Sequence, residues 1–518
     1  MIKVKQVSKV FYISVVVALL FIAWGVIPES VLPTWNLSNI TSNVQGFLTD
    51  KFGWFYLLSA TGFVIFAIFL VFSKFGKLKL GKPDDVPEYP YITWFAMLFS
   101  AGMGIGLVFW GAAEPISHFH TPPVIGQEPA TEEAAQSAMK YSFFHWGLHP
   151  WAFYSVIALA LAYFKFRKDA PGVISATLVP LLGEKRVKGP LGTLIDFIAV
   201  FATIFGVATS LGLGALQISS GLAFTVDGLE DTFTLQLMII LAVTVLFMIS
   251  AMTGLNKGIK YLSNTNIVLA LLLMIFTLFA GPTNFILELF TTTFGSYARD
   301  LPYMSFRLTP FAEDSTWVKD WTIFYWAWWL SWAPFVGTFI ARVSKGRTIR
   351  EFILGVLLVP TVFGALWFSV FGGTAISLEY FDGINIISDV NELGNEVALF
   401  SMLEHIPLGG VMSVIGLLLI STFFITSADS ATFVLGMQTT NGSLNPKNQV
   451  KFTWGVIQAG AAAVLLWQGG LGALQTAAII SAFPFTIIMI LICFSLYKTF
   501  NEDAKEAGLK KKKKANQH

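Results

Sequence analysis

Charge is what this chain has least of: Asp, Glu, Lys and Arg make up 12% of its 518 residues, about half the share found in soluble globular domains. That scarcity excludes a soluble protein. The 33 basic and 31 acidic residues leave a net charge of +2, and the basic ones are scattered over short loops and the tail, so there is no basic face for nucleic acid. Cysteine is nearly absent. Cys493 stands alone, which excludes an intramolecular disulfide and says nothing about compartment. Also missing is a small-x-small cleavage site after the apolar run 10–28, so the N-terminus reads as an uncleaved first span and not a signal peptide. His145 and His149 have the four-residue spacing of a zinc-binding helix but lack the glutamate of an H-E-x-x-H motif. Neither has an obvious nucleophile or base partner, which argues against an intramembrane enzyme.

What the chain has is apolar length. Hydrophobic residues make up 55% of it, and about twelve runs are long enough to cross a bilayer: 10–28, 53–73, 91–111, 141–164, 191–218, 234–252, 261–281, 321–341, 352–372, 411–434, 452–467 and 474–497. With a cytoplasmic N-terminus, one set of connections collects Lys74, Lys77, Lys79, Lys82, Lys165, Arg167, Lys168, Lys185, Arg186, Lys188, Lys257, Lys260, Arg342, Lys345, Arg347, Arg350, Lys447 and Lys451. The other set holds only Lys51, Lys140, Arg299, Arg307 and Lys319. The positive-inside rule is met at every turn, so both termini are expected in the cytoplasm. Two outer segments read as helices beyond the spans: 284–306 lying along the membrane, and 395–405, where Val397, Leu399, Phe400 and Leu403 alternate with polar residues.

Three stretches carry chemistry. Gly102, Gly104 and Gly106 alternate in mid-span; such glycines weaken a helix and leave main-chain groups that lipid cannot satisfy, so the third span is expected to open beside a cavity. Tryptophan crowds 321–332, where Trp328 and Trp332 lie four apart and Trp329 and Trp332 three apart, on one side of a helix. Indole faces attract cations that cannot donate hydrogen bonds, above all quaternary ammonium. The fourth span adds Trp146, Trp151 and Tyr154; on an ideal helix Trp151 and Tyr154 share a face, and Trp146 stands about 140° away unless Pro150 shifts it. The tenth span sets Thr426, Ser427, Ser430 and Thr432 around Asp429, hard oxygens suited to a small cation and an intramembrane carboxylate of functional character.

Gly102 to Gly106, the Trp146, Trp151 and Tyr154 set, the motif 326–332 and Ile425-Thr-Ser-Ala-Asp-Ser430 together resemble the betaine/choline/carnitine transporter family over nearly the whole chain. The resemblance implies an all-α integral membrane protein of the bacterial cell membrane. Its core would be paired inverted five-helix repeats of the LeuT type (residues 91–281 and 321–497), preceded by two extra helices within 10–90. A nine-residue N-terminus (1–9), an outer connection (282–320) and a short basic tail (498–518) complete the division. It implies alternating access, no cofactor besides a coupling ion, and often a homotrimer. Trp146, Trp151, Tyr154 and Trp329 match the cage for trimethylammonium; Trp326, Trp328 and Trp332 match aromatics along the route. Backbone around Ala101, Gly102, Met103 and Gly104 faces the substrate carboxylate. Thr426 and Ser427, with carbonyls near Ser100, Met103 and Phe423, match one sodium site, and Thr203 with Phe335 part of a second. Val207 stands where that second site has a hydroxyl, which leaves the stoichiometry open.

Choline-preferring members tend to have aspartate where this chain has Gly106. Glycine leaves the backbone as anion partner, so glycine betaine is favoured, imported with sodium for osmoprotection. The alternatives are a choline or carnitine/betaine transporter with proton coupling, and cation-independent exchange. The tail's five consecutive lysines, Lys510 to Lys514, would meet membrane lipid, anionic lipid included, on the cytoplasmic side.

Overall fold

The computed structural model describes residues 7–102, 104–253, 256–312 and 315–508; of residues 99–102 and 256–260 only the helical backbone is described. Met103 and the lysines of the tail lie outside it, and nothing bears on the side chains of Ser100, Ala101 and Gly102. The described residues form helices and no strand, with one isolated bridge between Lys79 and Thr348. The helices run α1 (Lys9–Val26), α2 (Leu37–Phe72), α3 (Tyr91–Gly102), α4 (Ile105–His120), α5 (Glu132–Trp146), α6 (Leu148–Ala162), α7 (Val179–Leu182), α8 (Glu184–Val187) and α9 (Pro190–Thr225). They continue as α10 (Phe233–Thr253), α11 (Asn256–Ala280), α12 (Thr283–Phe306), α13 (Phe324–Val343), α14 (Ile349–Tyr380), α15 (Ile386–Leu393), α16 (Ala398–Glu404), α17 (Gly409–Gln438) and α18 (Asn448–Glu506). Among the described residues nine helical segments are long and apolar enough to cross a membrane.

Local chemistry sets several starts. Thr348 and Glu351 close a reciprocal capping box at the head of α14, which satisfies two otherwise orphaned N–H groups. Thr131 caps α5 by accepting from Ala134 N at 3.2 Å, with Glu132 and Glu133 in the first turn, where the helix dipole favours acids. Glycine sets several interruptions. The third span divides at Gly104, which is extended (φ −152°, ψ −152°) between α3 and α4, as its alternating glycines predict. The fourth divides as well, at Gly147 (φ −95°, ψ −128°) between α5 and α6. Inside α18, Gly469 and Gly470 leave helical geometry, Gly470 with φ +55°, and separate the apolar runs 452–467 and 474–497.

The core is packed from the long helices. α13 lies against α6, α9 and α18; α14 lies against α4, α5 and α6; α17 lies against α9, α10 and α11. α12 is the helix expected over 284–306. The second outer segment forms a short 3-10 turn at Asn395–Val397 followed by α16, with Leu399, Phe400 and Leu403 fully buried, so it packs inward and not on the surface.

Loops assigned to one side by their lysines touch one another. Lys82 Nζ reaches Arg167 O at 2.9 Å and Asp169 at 2.6 Å, Leu80 N donates to Arg347 O at 2.8 Å, and Ser8 N donates to Thr439 O at 3.0 Å. Asp503, near the end of α18, accepts from Tyr163 (2.5 Å), Arg167 (3.0 Å) and Lys168 (2.5 Å). Connections of the other set pair among themselves, as Lys140 does with Asp300 at 2.8 Å.

Candidate functional site

α13 brings its aromatics against the break between α5 and α6. Trp329 is the hub: its ring lies 4.8 Å from Trp146 on α5, 6.0 Å from Tyr154 on α6 and 5.0 Å from Trp328, while Tyr154 in turn contacts Trp151 at 5.5 Å. The Trp329 contacts with Trp146 and Tyr154 are edge-on, at 84° and 88°, an arrangement that aromatic quadrupoles favour. The offset between Trp146 and Trp151 expected of an ideal helix does not apply, because Gly147 separates them into different helices. All four rings are buried, with Trp146 and Trp329 each 4% exposed. Trp329 Nε1 donates to His145 O at 2.9 Å, which fixes its indole plane.

The other α13 tryptophans divide. Trp328 stacks on Phe324 (5.7 Å, 10°) and touches Trp146 at 6.2 Å. Trp332 donates to Gly206 O at 2.6 Å and packs on Phe335. Trp326 points elsewhere, stacked on His149 at 4.8 Å and 13°, apart from Trp328 and Trp329. Gly106 does face the cluster: a Cβ there would come 2.4 Å from Trp328 Cη2 and 3.2 Å from Trp146 Cη2. At this position, therefore, any side chain must displace Trp328.

A carboxylate that sequence reasoning passed over sits behind this cluster. Glu114, on α4 and fully buried, accepts from Trp146 Nε1 (2.8 Å) and Tyr325 OH (2.6 Å) on one oxygen. Its other oxygen meets His145 Nδ1 (2.7 Å) and His118 Nε2 (3.2 Å). His145 Nε2 lies 2.9 Å from Thr322 Oγ1; His145 thus has the acidic partner it lacked in the sequence. The ligating atoms of Glu114, His118 and His145 lie within 4.8 Å of one another, a spacing open to a metal. His149 is not among them. The signal was available: an intramembrane acid four residues before a histidine deserved the weight given to Asp429.

On the opposite side of the break, the hydroxyl-rich stretch of α17 faces α4 and α11. Ser427 Oγ lies 3.7 Å from where a Cβ of residue 104 would stand, so the opened third span and the tenth-span hydroxyls meet. Thr426 Oγ1 accepts from Asn266 Nδ2 at 2.9 Å and bonds back to Thr422 O at 3.0 Å. Asn266 Oδ1 is buried without a partner among the described residues. Phe423 is buried one turn earlier. Asp429 accepts from Ser250 Oγ at 2.7 Å and borders a cavity of 410 Å³ shared with Phe335, Ser430, Arg342 and Lys451. Thr203 is held by Gln438 at 3.3 Å and by Ala199 O, a pairing that sequence did not suggest, and Val207 is buried one turn on.

A sequence model of the betaine/carnitine/choline family transporters matches residues 9–505. The chain belongs to that family. Among its relatives, the glycine betaine transporter OpuD of Bacillus subtilis (strain 168) is 55% identical over 504 residues, 97% of this chain and 96% of the relative. A probable glycine betaine transporter of Desulfitobacterium hafniense (strain Y51) is 45% identical, covering 96% and 98% of the two chains. An ectoine/hydroxyectoine transporter of Virgibacillus pantothenticus is also 45% identical, with the same coverage of 96% and 98%. The protein is therefore a multi-pass membrane transporter and not an enzyme.

Proposed function

We propose that this transporter imports glycine betaine with sodium by alternating access, as an osmoprotectant carrier of the bacterial cell membrane. The observation that carries the reading is the convergence of Trp146 and Tyr154 on Trp329 from either side of the Gly147 break. Indole and phenol faces suit a group that carries positive charge but has no hydrogen to donate, and two relatives are named for glycine betaine. Trp151 completes the cage, and Trp328 and Trp332 flank the route. The backbone around Ala101 to Gly104 receives the substrate carboxylate, with Gly106 kept free of a side chain.

Sodium is assigned to Thr426 and Ser427 with main-chain oxygens of Phe423 and the α3 to α4 break near Ser100 and Met103; Thr203 and Phe335 mark a second position. The meeting of Ser427 with Gly104 and the unpartnered carboxamide oxygen of Asn266 support the first of these. A zwitterion gains nothing from membrane potential, whereas one sodium ion drives roughly 50-fold accumulation at 100 mV before its own gradient is counted. The same reading takes twelve crossings, with the broken third span, α13 and the two halves of α18 completing the count. It divides them into two helices before inverted repeats at 91–281 and 321–497, places both termini in the cytoplasm, and assembles three copies.

Uptake of labelled glycine betaine into proteoliposomes tests this, with an inward sodium gradient, without one, and with excess ectoine. The expected result is accumulation that requires the gradient and resists ectoine. Equal uptake without sodium would replace symport by exchange, and displacement by ectoine at equal concentration would reassign the substrate.

A further inference from the structure

Glu114 places a carboxylate in direct contact with the aromatic cluster. It bonds Trp146 and Tyr325 through one oxygen and His145 and His118 through the other, so donors fill both oxygens, as an ionised carboxylate requires when water is excluded. An indole N–H can only donate, which fixes the sense of the Trp146 bond. His118 Nδ1 is buried without a partner among the described residues; a bare lone pair tolerates that better than a second N–H, so this imidazole is neutral. Thr322 can donate to His145 Nε2 and leave that ring neutral too. The group as a whole then holds one negative charge. Its donors include two rings that bound the cluster, since Tyr325 also lies parallel to Trp329 at 6.3 Å and 20°.

We infer that Glu114 is the buried counter-charge for the substrate's quaternary ammonium, acting through Trp146 and Tyr325 and not by touching the substrate. A hydrogen bond from a ring N–H or O–H to a carboxylate pushes electron density onto the ring face, which deepens the quadrupole that attracts a cation. In a dry site the charge is also felt directly across several ångströms. Glu114 is thus a positioning and specificity residue: it selects a cationic head over an uncharged one of equal shape. The inference rests on the cage assignment of the preceding section.

The test compares binding of glycine betaine with that of 3,3-dimethylbutanoate, in which carbon replaces the nitrogen and the charge is lost at constant shape. Tryptophan fluorescence of the purified full-length protein reads both. Glu114→Gln suits the test because its carbonyl oxygen can still accept from Trp146 and Tyr325, while His145 can change tautomer to accept from its amide and donate to Thr322 Oγ1 instead. The expected result is a loss of glycine betaine affinity on the order of tenfold, with dimethylbutanoate binding unchanged or tighter. Should Gln weaken both ligands equally, Glu114 is only structural and the inference falls. Restoration of binding by zinc after chelation would equally overturn it and make Glu114, His118 and His145 a metal centre. Should the Gln variant fail to fold, Tyr325→Phe removes one carboxylate link and keeps the ring. That variant must lower the betaine to dimethylbutanoate preference, and an unchanged preference refutes the idea. A parent protein that does not prefer betaine in the first place points instead to failure of the cage assignment.

Discussion

At the scale of single residues the proposed cage depends on Trp329, because it contacts Trp146 and Tyr154 from either side of the Gly147 break. A cation–π contact in a desolvated site contributes on the order of 2 kcal/mol, so Trp329→Leu is expected to weaken glycine betaine binding about thirtyfold or more. Fluorescence titration of the folded variant checks this, and an unchanged dissociation constant removes Trp329 from the cage. Residue chemistry was readable from sequence where it came in clusters. Trp146, Trp151, Tyr154, Trp329 and Gly106 could be singled out as candidates because their motifs resemble those of a known family, and the structure packs Trp146 and Tyr154 on Trp329. Glu114 carried only a local signal, an acid four residues before His118; its links to His145, Trp146 and Tyr325, 31, 32 and 211 residues away, are revealed only by tertiary structure. Trp326, close to Trp329 in sequence, stacks on His149, a direction that spacing alone does not reveal.

At the scale of elements, the breaks are what make a site out of helices. Three alternating glycines announced the opening at Gly104, since each weakens the helix by about 1 kcal/mol against alanine. Gly147 gave no comparable signal, being a single glycine in an apolar run, yet it separates Trp146 from Trp151 and Tyr154, the two halves of the proposed cage. The Gly104 opening meets α17 at Ser427, and this contact is where ion coupling is expected. Replacing Thr426 and Ser427 together by alanine removes hard oxygen ligands and leaves every cage ring in place. Sodium stimulation of uptake is expected to collapse while substrate affinity at saturating sodium changes less than threefold or so. A double variant with the parent's sodium curve would move the ion elsewhere, to the neighbourhood of Thr203 and Phe335 first.

At the scale of the whole molecule, the alternation of basic and poor loops was legible because it depends on counting and not on packing. The contacts of Lys82 with Arg167 O, and of Leu80 with Arg347 O, join loops far apart in sequence but assigned to the same side. The connection with most consequence for stability is Asp503, which ties the end of α18 to the end of the fourth span. It is 2% exposed and accepts from Tyr163, Arg167 and Lys168. Removing one partner of a fully buried pair costs about 3–5 kcal/mol. Here the Lys168 side chain is 37% exposed and can turn to water, so Asp503→Asn is expected to destabilise by about 2 kcal/mol. Asp169 offers an internal comparison, because it pairs with Lys82 at 2.6 Å but its side chain is 76% exposed. A pair so open to solvent contributes at most about 1 kcal/mol and is screened by salt. Thermal unfolding of the two variants in detergent should therefore show a clear fall for Asp503→Asn and almost none for Asp169→Asn. Equal melting temperatures for both variants would mean that the end of α18 is not held by its buried carboxylate.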